Sequence, residues 1–203
     1  MGSNLQELEI KLYLSNLSTF QHRVQELGSK LVEPRLHEIN LRFDTPEGDL
    51  TRSAQVLRLR QDTAARLTYK GPGETVGGVH ARKEIEFTVS DYQSAQLLLE
   101  TLGYQISMMY EKFRTTYLLE GLQITLDEMP YGDFTEIEGS DPAAIRATAR
   151  RLGVNWDARI LESYTSLFDL LRKKLNLTFR DLSFENFSEL NISPVDLGVT
   201  PAD

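Results

Sequence analysis

Two carboxylates and an ammonium group alternate with apolar residues near the start of the chain. Glu7, Glu9 and Lys11 lie in the run LQELEIKLYL, where Leu8 and Ile10 separate them. Because the side chains of a strand point alternately to its two faces, these three charged groups share one face. Two carboxylates can bind a metal ion and an ammonium group can bind an anion, but a plain solvated strand shows the same pattern. The other strands decide between these interpretations.

The same alternation predicts a charged face on seven further strands. One such face is normal on any single strand, because one side of an antiparallel sheet often contacts water. Here most strands carry two charges on the polar face and several carry one sign only, which indicates placed ligands rather than a solubilising surface. The acidic candidates are Glu7, Glu9, Glu84, Glu86, Asp127, Glu136 and Glu138. The basic candidates are Lys11, Arg42, Arg58, Arg60, Arg66, Lys70, Arg82, Lys112 and Arg114.

This set of side chains fits a metal-bound polyphosphate. Oxygen ligands alone select Mg²⁺ or Mn²⁺ over zinc or copper, and the guanidinium group of arginine matches the geometry of phosphate oxygens. The 203-residue chain contains no cysteine, which excludes thiol nucleophiles and cysteine-bound zinc. Its three histidines lie far apart in the sequence, so a multi-histidine metal site is not expected.

The bulk composition is that of an ordinary globular protein, with 40% hydrophobic and 26% charged residues. The formal net charge of −8 argues against a nucleic-acid-binding protein that covers phosphates with a broad basic surface. No apolar run approaches the roughly 18 residues that a membrane-spanning helix needs. No signal peptide is evident either, so we expect a cytoplasmic protein that does not act at a membrane.

Hydrophobic periodicity and turn residues predict the elements that position these charges. The strand candidates are 5–13, 37–44, 55–61, 65–71, 81–89, 105–119, 121–128 and 133–139. The helix candidates are 17–32, 91–102, 141–152 and 162–175. The segment Gly71–Gly78 reads as a loop, either a mobile lid or an ordinary hairpin connection, and residues 176–203 are expected to lie over the surface or to fray.

Direct hairpins between these strands predict an α+β protein with a mainly antiparallel sheet. The apolar strand faces need cover, which helices packed on the outside would supply. The polar faces would then line a closed or nearly closed barrel, where charges are costly unless they are paired or hold a ligand.

Six segments of the chain resemble the CYTH proteins, also called triphosphate tunnel metalloenzymes. They are ELEIK, VLRLRQ, LTYKGP, ARKEIEF, EKFRTTY and LDEMPYGDFTEIE, in the order of the family and within about residues 5–139. The resemblance implies an eight-stranded antiparallel β-barrel that forms a triphosphate tunnel, in a domain over 1–175, followed by a polar tail over 176–203. Members act on triphosphates with Mg²⁺ or Mn²⁺, and include inorganic, thiamine and RNA triphosphatases and class IV adenylate cyclases.

The resemblance also implies roles for individual residues. The metal ligands would be Glu7, Glu9, Asp127, Glu136 and Glu138. The triphosphate-binding residues would be Lys11, Arg58, Arg60, Lys70, Arg82, Lys112 and Arg114. Arg42, which the family pattern does not supply, is added to them as a further cation on the tunnel-facing side. Lys11, Glu9 and Glu136 would act in catalysis, with Lys11 either contacting phosphate or helping to activate the attacking water. For Glu84 and Glu86 two alternatives stay open: they position the neighbouring arginines, or they bind metal directly.

One position departs from the family pattern. Many members have a tyrosine just before the aromatic–Asp pair at the end of the second strand, and in thiamine triphosphatases it is thought to partner the first-strand lysine. Arg42 stands there in this chain, before Phe43 and Asp44. The lysine–tyrosine dyad is therefore absent at that place, which disfavours thiamine triphosphate and adds a cation suited to a more highly charged substrate.

The leading hypothesis from the sequence is metal-dependent hydrolysis of a small-molecule triphosphate. A class IV adenylate cyclase, which would convert ATP to cyclic AMP and pyrophosphate, is the alternative. A polyphosphate- or nucleotide-binding protein without turnover is a further one. The sequence does not decide the oligomeric state, so a homodimer stays an alternative to a monomer.

Overall fold

Eight antiparallel strands close into a barrel. The structure is a computed structural model and describes residues 6–203, so Leu5, the first residue of the predicted strand 5–13, lies outside it. The strands pair in the closed order β1-β5-β4-β3-β2-β6-β7-β8. They are β1 (Gln6–Leu14), β2 (Lys30–Asp44), β3 (Val56–Gln61), β4 (Ala65–Val76), β5 (Val79–Val89), β6 (Gln105–Leu119), β7 (Leu122–Met129) and β8 (Gly132–Glu138). The predicted α+β barrel is confirmed.

Seven helices connect or follow the strands in the described part of the chain. They are α1 (Leu17–Glu26), α2 (Asp49–Arg52), α3 (Tyr92–Thr101), α4 (Pro142–Arg151), α5 (Tyr164–Leu175), α6 (Phe184–Phe187) and α7 (Pro194–Leu197). A 3₁₀ turn covers Trp156–Ala158. Asn16, Asp91 and Ser163 cap α1, α3 and α5 by accepting a hydrogen bond from a backbone N–H of the first turn.

Helices cover the outer, apolar faces of the strands. Phe20 of α1 and Ile145 of α4 are fully buried in the same cluster as Ile10, on the outer face of β1. Leu99 of α3 packs with Phe43 and Leu59 on the opposite side of the barrel. These contacts direct the alternate, charged residues of every strand into the barrel.

Three predicted boundaries are wrong, among them the start of the strand predicted over 37–44, because β2 already begins at Lys30. The helix predicted over 17–32 ends at Glu26, because Gly28 adopts a positive φ of 79° and residues 30–32 already belong to β2. The predicted loop Gly71–Gly78 is mostly strand, since β4 continues to Val76. A register shift between Lys70 and Gly73 accommodates the intervening proline, which cannot donate to the sheet.

An apolar plug closes one end of the barrel. Tyr13, Tyr110 and Phe134 are inward-facing residues that pack against Phe168 and Leu171 of α5. Each of these five side chains is at least nine-tenths buried. Helix α5 therefore lies across the barrel end, whereas α1, α3 and α4 lie on its outer wall.

The segment 176–203 lies over the barrel and is not frayed. Leu182 and Phe187 are buried in the plug, and the Leu182 N–H donates to the Met109 carbonyl at 2.9 Å. At the far end, the Asp203 carboxylate accepts from the backbone N–H of Ser15 at 2.7 Å. The domain boundary at residue 175 stays a prediction. No helix within residues 6–203 is long and apolar enough to cross a membrane.

Candidate functional site

The inward-facing charges line a tunnel-shaped cavity of about 460 Å³. Twelve of the thirteen predicted site residues border it: Glu7, Glu9, Lys11, Arg42, Arg58, Arg60, Lys70, Arg82, Lys112, Arg114, Glu136 and Glu138. The thirteenth, Asp127, is fully buried in the barrel wall and does not border the cavity. Arg66, Glu84 and Glu86 also line it. With Gln123 of β7, the cavity is lined by side chains from all eight strands.

One group of these charges, which we call the paired cluster, consists of Lys112, Arg114, Asp127, Glu136 and Tyr164. The Asp127 carboxylate accepts from Arg114 Nε at 2.6 Å and from Lys112 Nζ at 3.0 Å. The Tyr164 hydroxyl, which α5 carries into the barrel, donates to the same carboxylate at 2.8 Å. Arg114 also donates to Glu136 at 2.6 Å. Every charge in the cluster therefore has an opposite partner.

The pKa shifts of the paired cluster follow from this pairing. Burial alone would raise the pKa of Asp127, but Arg114 and Lys112 hold it well below its usual range. Burial likewise opposes ionisation of Glu136, yet Arg114 and Lys11 lower its pKa. Both carboxylates are consequently ionised at neutral pH, with their charges neutralised by protein groups.

A second group, the acidic arc, consists of Glu7, Glu9 and Glu138 on the neighbouring strands β1 and β8. Glu9 and Glu138 are direct cross-strand partners. Burial, followed by repulsion from Glu136 and Glu7, raises the pKa of Glu9. Burial, followed by repulsion from Glu7 and Glu9, raises the pKa of Glu138 to about 7. The acidic arc thus holds more negative charge than the surrounding protein compensates.

The donor set of the acidic arc suits a hard divalent cation. Within residues 6–203, no group of three or more His, Asp or Glu side chains is already arranged to hold a metal ion. Carboxylate oxygens are nevertheless the ligands that Mg²⁺ and Mn²⁺ prefer, and a cation there would relieve the repulsion that, after burial, raises the pKa of Glu9 and of Glu138. Asp127 fits less well, because three side chains already donate to its two oxygens, and this favours an anchoring role over the predicted metal ligation.

A third group places carboxylates among the arginines of β3. Arg58 donates to Glu86 at 3.3 Å and Arg60 donates to it at 3.2 Å. Arg60 also lies 3.6 Å from Glu38, and Lys70 donates to Glu7 at 2.8 Å. These pairs support the positioning role of Glu86 over direct metal binding, because its carboxylate is already shared by two arginines.

Two cations lack this compensation. Among the described residues, no carboxylate lies within 4 Å of the Arg42 guanidinium, which donates to the Thr165 hydroxyl at 2.5 Å. Burial lowers the pKa of Arg42. Arg82 has one distant ion pair, with Glu7 at 3.9 Å. Such groups are the natural place for an anionic ligand, since a ligand phosphate would supply the missing charge.

The comparisons with known proteins agree with this geometry. The CYTH domain profile matches residues 5–155, about three quarters of the sequence. The chain belongs to the CYTH family. It is 28% identical over 135 residues to adenylate cyclase CyaB of Aeromonas hydrophila, covering 64% of this chain and 67% of that protein.

Solved structures share the CYTH fold. The protein PH1819 of Pyrococcus horikoshii is 28% identical and superposes with a TM-score of 0.67, over 80% of this chain and 97% of its own. A proposed adenylate cyclase from Vibrio parahaemolyticus, 22% identical, has a TM-score of 0.75 over 82% and 99%. The Hippeastrum protein HpAC1, described as having a dominant triphosphatase activity, is 22% identical with a TM-score of 0.62 over 80% and 95%. The two at 22% identity show the fold alone.

A tyrosine from α5 stands beside Lys11 in this CYTH chain. The centroid of the Tyr164 ring lies 4.4 Å from Lys11 Nζ. The ammonium group also donates to the Glu162 carbonyl at 3.1 Å and lies 3.5 Å from Glu136. The face of the Tyr164 ring, and not its hydroxyl, contacts Lys11. Lys11 therefore has a tyrosine neighbour, but the two do not form a hydrogen-bonded dyad, and Arg42 stands where the family's tyrosine would be.

Sequence reasoning missed three residues of the site: Glu38, Tyr110 and Tyr164. Glu38 is almost fully buried and lies 3.7 Å from Lys112, and extending the alternation of Arg42 two steps back along β2 would have found it. Tyr110 accepts from Arg58 at 3.3 Å. Tyr164 lies on α5, where no strand periodicity points to the barrel interior.

Proposed function

We propose that this CYTH protein hydrolyses the terminal phosphate of a triphosphate, with Mg²⁺ or Mn²⁺ as cofactor. The observation that carries the proposal is the separation of charge within one cavity. The carboxylates of the acidic arc have too little positive charge beside them, which raises the pKa of Glu9 and of Glu138. The guanidinium groups of Arg42 and Arg82, in contrast, have no carboxylate close by among the described residues. A metal-bound triphosphate is the ligand that would satisfy both groups at once.

In this proposal, Glu7, Glu9 and Glu138 would hold the metal ion, with Glu136 beside them. When bound, the metal supplies charge neutralisation on the phosphate oxygens and lowers the pKa of a coordinated water. Phosphoryl transfer requires mainly such positioning and electrostatic stabilisation, so no histidine base is needed.

The basic residues would hold the phosphate chain. Arg42 and Arg82 contribute charges that no protein carboxylate neutralises closely, whereas Arg58, Arg60 and Lys70 must share theirs between the ligand and a glutamate. Lys112 and Arg114 are held by Asp127 and would present fixed donors to the cavity. Lys11, fixed by Glu162 and Glu136, would contact phosphate or orient the attacking water.

A class IV adenylate cyclase is the second candidate, because the relative from Aeromonas hydrophila carries that name. The same residues would bind ATP, and the ribose 3′-hydroxyl rather than water would attack, at the α-phosphorus instead of the γ-phosphorus. Product analysis separates the two reactions, since orthophosphate identifies the hydrolase and pyrophosphate with cyclic AMP identifies the cyclase.

The decisive experiment offers tripolyphosphate, ATP and thiamine triphosphate to the protein with Mg²⁺ and with Mn²⁺. We expect release of orthophosphate, and a loss of kcat/KM of at least about 100-fold in Glu9→Gln because one metal ligand loses its charge. Glu26→Gln, on the exposed face of α1, is the matched control and should behave as wild type. Tight binding of triphosphate without turnover would instead identify a non-catalytic binding protein and contradict the proposal.

A further inference from the structure

Of the three histidines, all of which lie within residues 6–203, one faces the inside of the barrel. His22 is exposed on α1, and His37 lies on the outer face of β2, where its Nε2 is 2.7 Å from the Glu111 carboxylate. His80 lies on β5, two residues before Arg82, which borders the tunnel. Because alternate residues of a strand share a face, the His80 side chain points into the barrel.

Strand pairing places His80 in one row with two carboxylates of the acidic arc. Glu9 of β1 pairs directly with His80 of β5 on one side and with Glu138 of β8 on the other. Direct cross-strand partners point to the same side of a sheet, and their Cβ atoms lie about 4.5–5.5 Å apart. An imidazole group and two carboxylates therefore stand side by side on three neighbouring strands.

The His80 ring is held in place by packing and not by a hydrogen bond. It lies against the backbone of Gly73, at the place where the Cβ of any other residue would overlap the ring. Neither ring nitrogen has a hydrogen-bond partner within residues 6–203. The half-buried ring borders a cavity of about 390 Å³ beside the tunnel, and Glu9 borders the same cavity. An imidazole with free nitrogens beside a carboxylate has the chemistry of a metal ligand.

A nitrogen donor changes which metal ions the acidic arc would prefer. Mg²⁺ takes oxygen ligands, demands nearly octahedral geometry and gives up its waters reluctantly. Imidazole is instead a common ligand of first-row transition-metal ions, the series to which Mn²⁺ belongs. The sequence predicts oxygen donors alone, which accept either ion. His80 would add the donor that distinguishes Mn²⁺ from Mg²⁺.

We infer that His80 is a nitrogen ligand of the metal ion at the acidic arc, and that it shifts the preference of this site from Mg²⁺ toward Mn²⁺. The inference rests on the proposed function and deepens it by naming a ligand outside the predicted set. Within residues 6–203, the row of His80, Glu9 and Glu138 is not already arranged around one point. A bound cation would draw the three side chains together, and the test has to detect that convergence.

Electron spin-echo spectroscopy of bound Mn²⁺ tests the inference directly. A ¹⁴N nucleus bonded to Mn²⁺ modulates the echo, and protein labelled with ¹⁵N-histidine shows whether that nucleus belongs to a histidine. His80→Asn removes the imidazole, and His80→Phe keeps a planar ring at Gly73 without a nitrogen. His22→Asn, on the exposed face of α1, is the matched control. Spectra are recorded with Mn²⁺ alone and with Mn²⁺ and a methylene-bridged triphosphate analogue.

We expect the wild-type protein and His22→Asn to show the ¹⁴N modulation, and both His80 variants to lose it. Labelling with ¹⁵N-histidine should change the wild-type spectrum, and this part of the test requires no variant to fold. In calorimetry, both His80 variants should bind Mn²⁺ at least about tenfold more weakly and Mg²⁺ less than about twofold more weakly. The ratio of the two affinities, and not weaker binding alone, identifies the nitrogen ligand.

Bound Mn²⁺ without modulation from a histidine nitrogen would overturn the inference, as would equal weakening of Mn²⁺ and Mg²⁺ binding in the His80 variants. In both cases the wild-type protein still binds its metal ion, so the proposed function survives. If the wild-type protein binds neither ion, with or without the triphosphate analogue, the proposed function fails, and the inference fails with it.

Discussion

The paired cluster and the acidic arc contain carboxylates for which the sequence predicts the same role, yet the fold treats them in opposite ways. The pKa values of Asp127 and Glu136 are lowered by neighbouring cations, whereas those of Glu9 and Glu138 are raised by burial and by neighbouring carboxylates. The first group is satisfied by the protein itself. The second keeps an unfavourable concentration of charge that a cation would relieve.

This difference separates what holds the tunnel together from what the tunnel binds. A buried charge with its partners is costly to disturb, because removing one partner leaves the others uncompensated. The repulsive group is different, since neutralising Glu9 or Glu138 removes a cost without breaking an ion pair, although Glu7 is held by Lys70. Substitutions in the paired cluster should therefore affect stability, and substitutions in the acidic arc should affect ligand binding.

The largest expected effect comes from Asp127→Ala. Lys112 and Arg114 would keep their buried charges but lose their main partner, and we expect a loss of about 3–5 kcal/mol in the free energy of unfolding. Urea denaturation without metal measures it. Asp127→Asn keeps the shape and should show a smaller loss, which covers the case in which the alanine variant does not fold.

Glu120→Ala is the control for this prediction, because it breaks an exposed ion pair with Arg151 and should change stability little. If Asp127→Asn unfolds like wild type but loses Mn²⁺ binding, Asp127 is a metal ligand, as the sequence predicts, and the distinction between the two groups does not hold for it.

The second effect concerns metal binding by the acidic arc. A ligand that binds only the folded protein stabilises it by about 2.7 kcal/mol at 100 times its Kd. We expect Mn²⁺ to raise the Tm of the wild-type protein and of Glu26→Gln, and to have little effect on Glu9→Gln. Thermal unfolding with and without a chelator measures this. An equal Tm shift in all three proteins would show that Mn²⁺ binds elsewhere.

The strands and the charged inner face of this barrel follow from period-two alternation, and the grouping of charges does not. Alternation places Asp127 and Glu138 on the inner face, but it does not show that Asp127 has two cations beside it while Glu138 faces Glu9. That difference depends on which strands become neighbours when the barrel closes and on the stagger between them.

The sequence does not predict that α5 and the tail form the apolar plug, and the reason is related. Helix α5 has an ordinary amphipathic pattern, so the helix is predicted but its position at the barrel end is not. The apolar residues of the tail, such as Leu182 and Phe187, stand singly between polar or small ones and show no helical or strand period. These anchors are buried through contacts with distant strands, which no local pattern reveals.

The third effect is the pH dependence of the metal-free protein. The pKa of Glu138 is about 7 in the folded protein, against 4.5 as its ordinary value. The folded state therefore binds this proton more tightly than the unfolded state, so its contribution to stability is present below about pH 4.5 and is lost as pH rises to about 7. Allowing for screening, we expect this loss to be about 2 kcal/mol.

Glu138→Gln cannot ionise, so the stability difference between this variant and wild type should grow in favour of the variant between pH 5 and pH 8. Urea denaturation with a chelator at both values measures that difference, and Glu26→Gln should follow wild type throughout. A constant difference between Glu138→Gln and wild type across this range would mean that the acidic arc is not electrostatically strained.

The smallest expected effect tests the link between the plug and the paired cluster. Tyr164→Phe keeps the ring beside Lys11 but removes the hydroxyl that donates to Asp127 at 2.8 Å. Because Lys112 and Arg114 still donate to this carboxylate, we expect a loss of only about 1 kcal/mol in stability. Since the two cations depend on the orientation of Asp127, we also expect KM for triphosphate to rise two- to fivefold with kcat nearly unchanged.

Tyr131→Phe is the matched control, because its buried hydroxyl donates to the Tyr164 carbonyl at 2.8 Å and not to a carboxylate. It should lose a similar amount of stability with no change in KM. If the two variants raise KM equally, Tyr164 acts through the packing of α5 alone. If Tyr164→Phe alone raises KM, its hydroxyl orients the paired cluster, and the apolar plug then helps to set the phosphate-binding geometry of the tunnel.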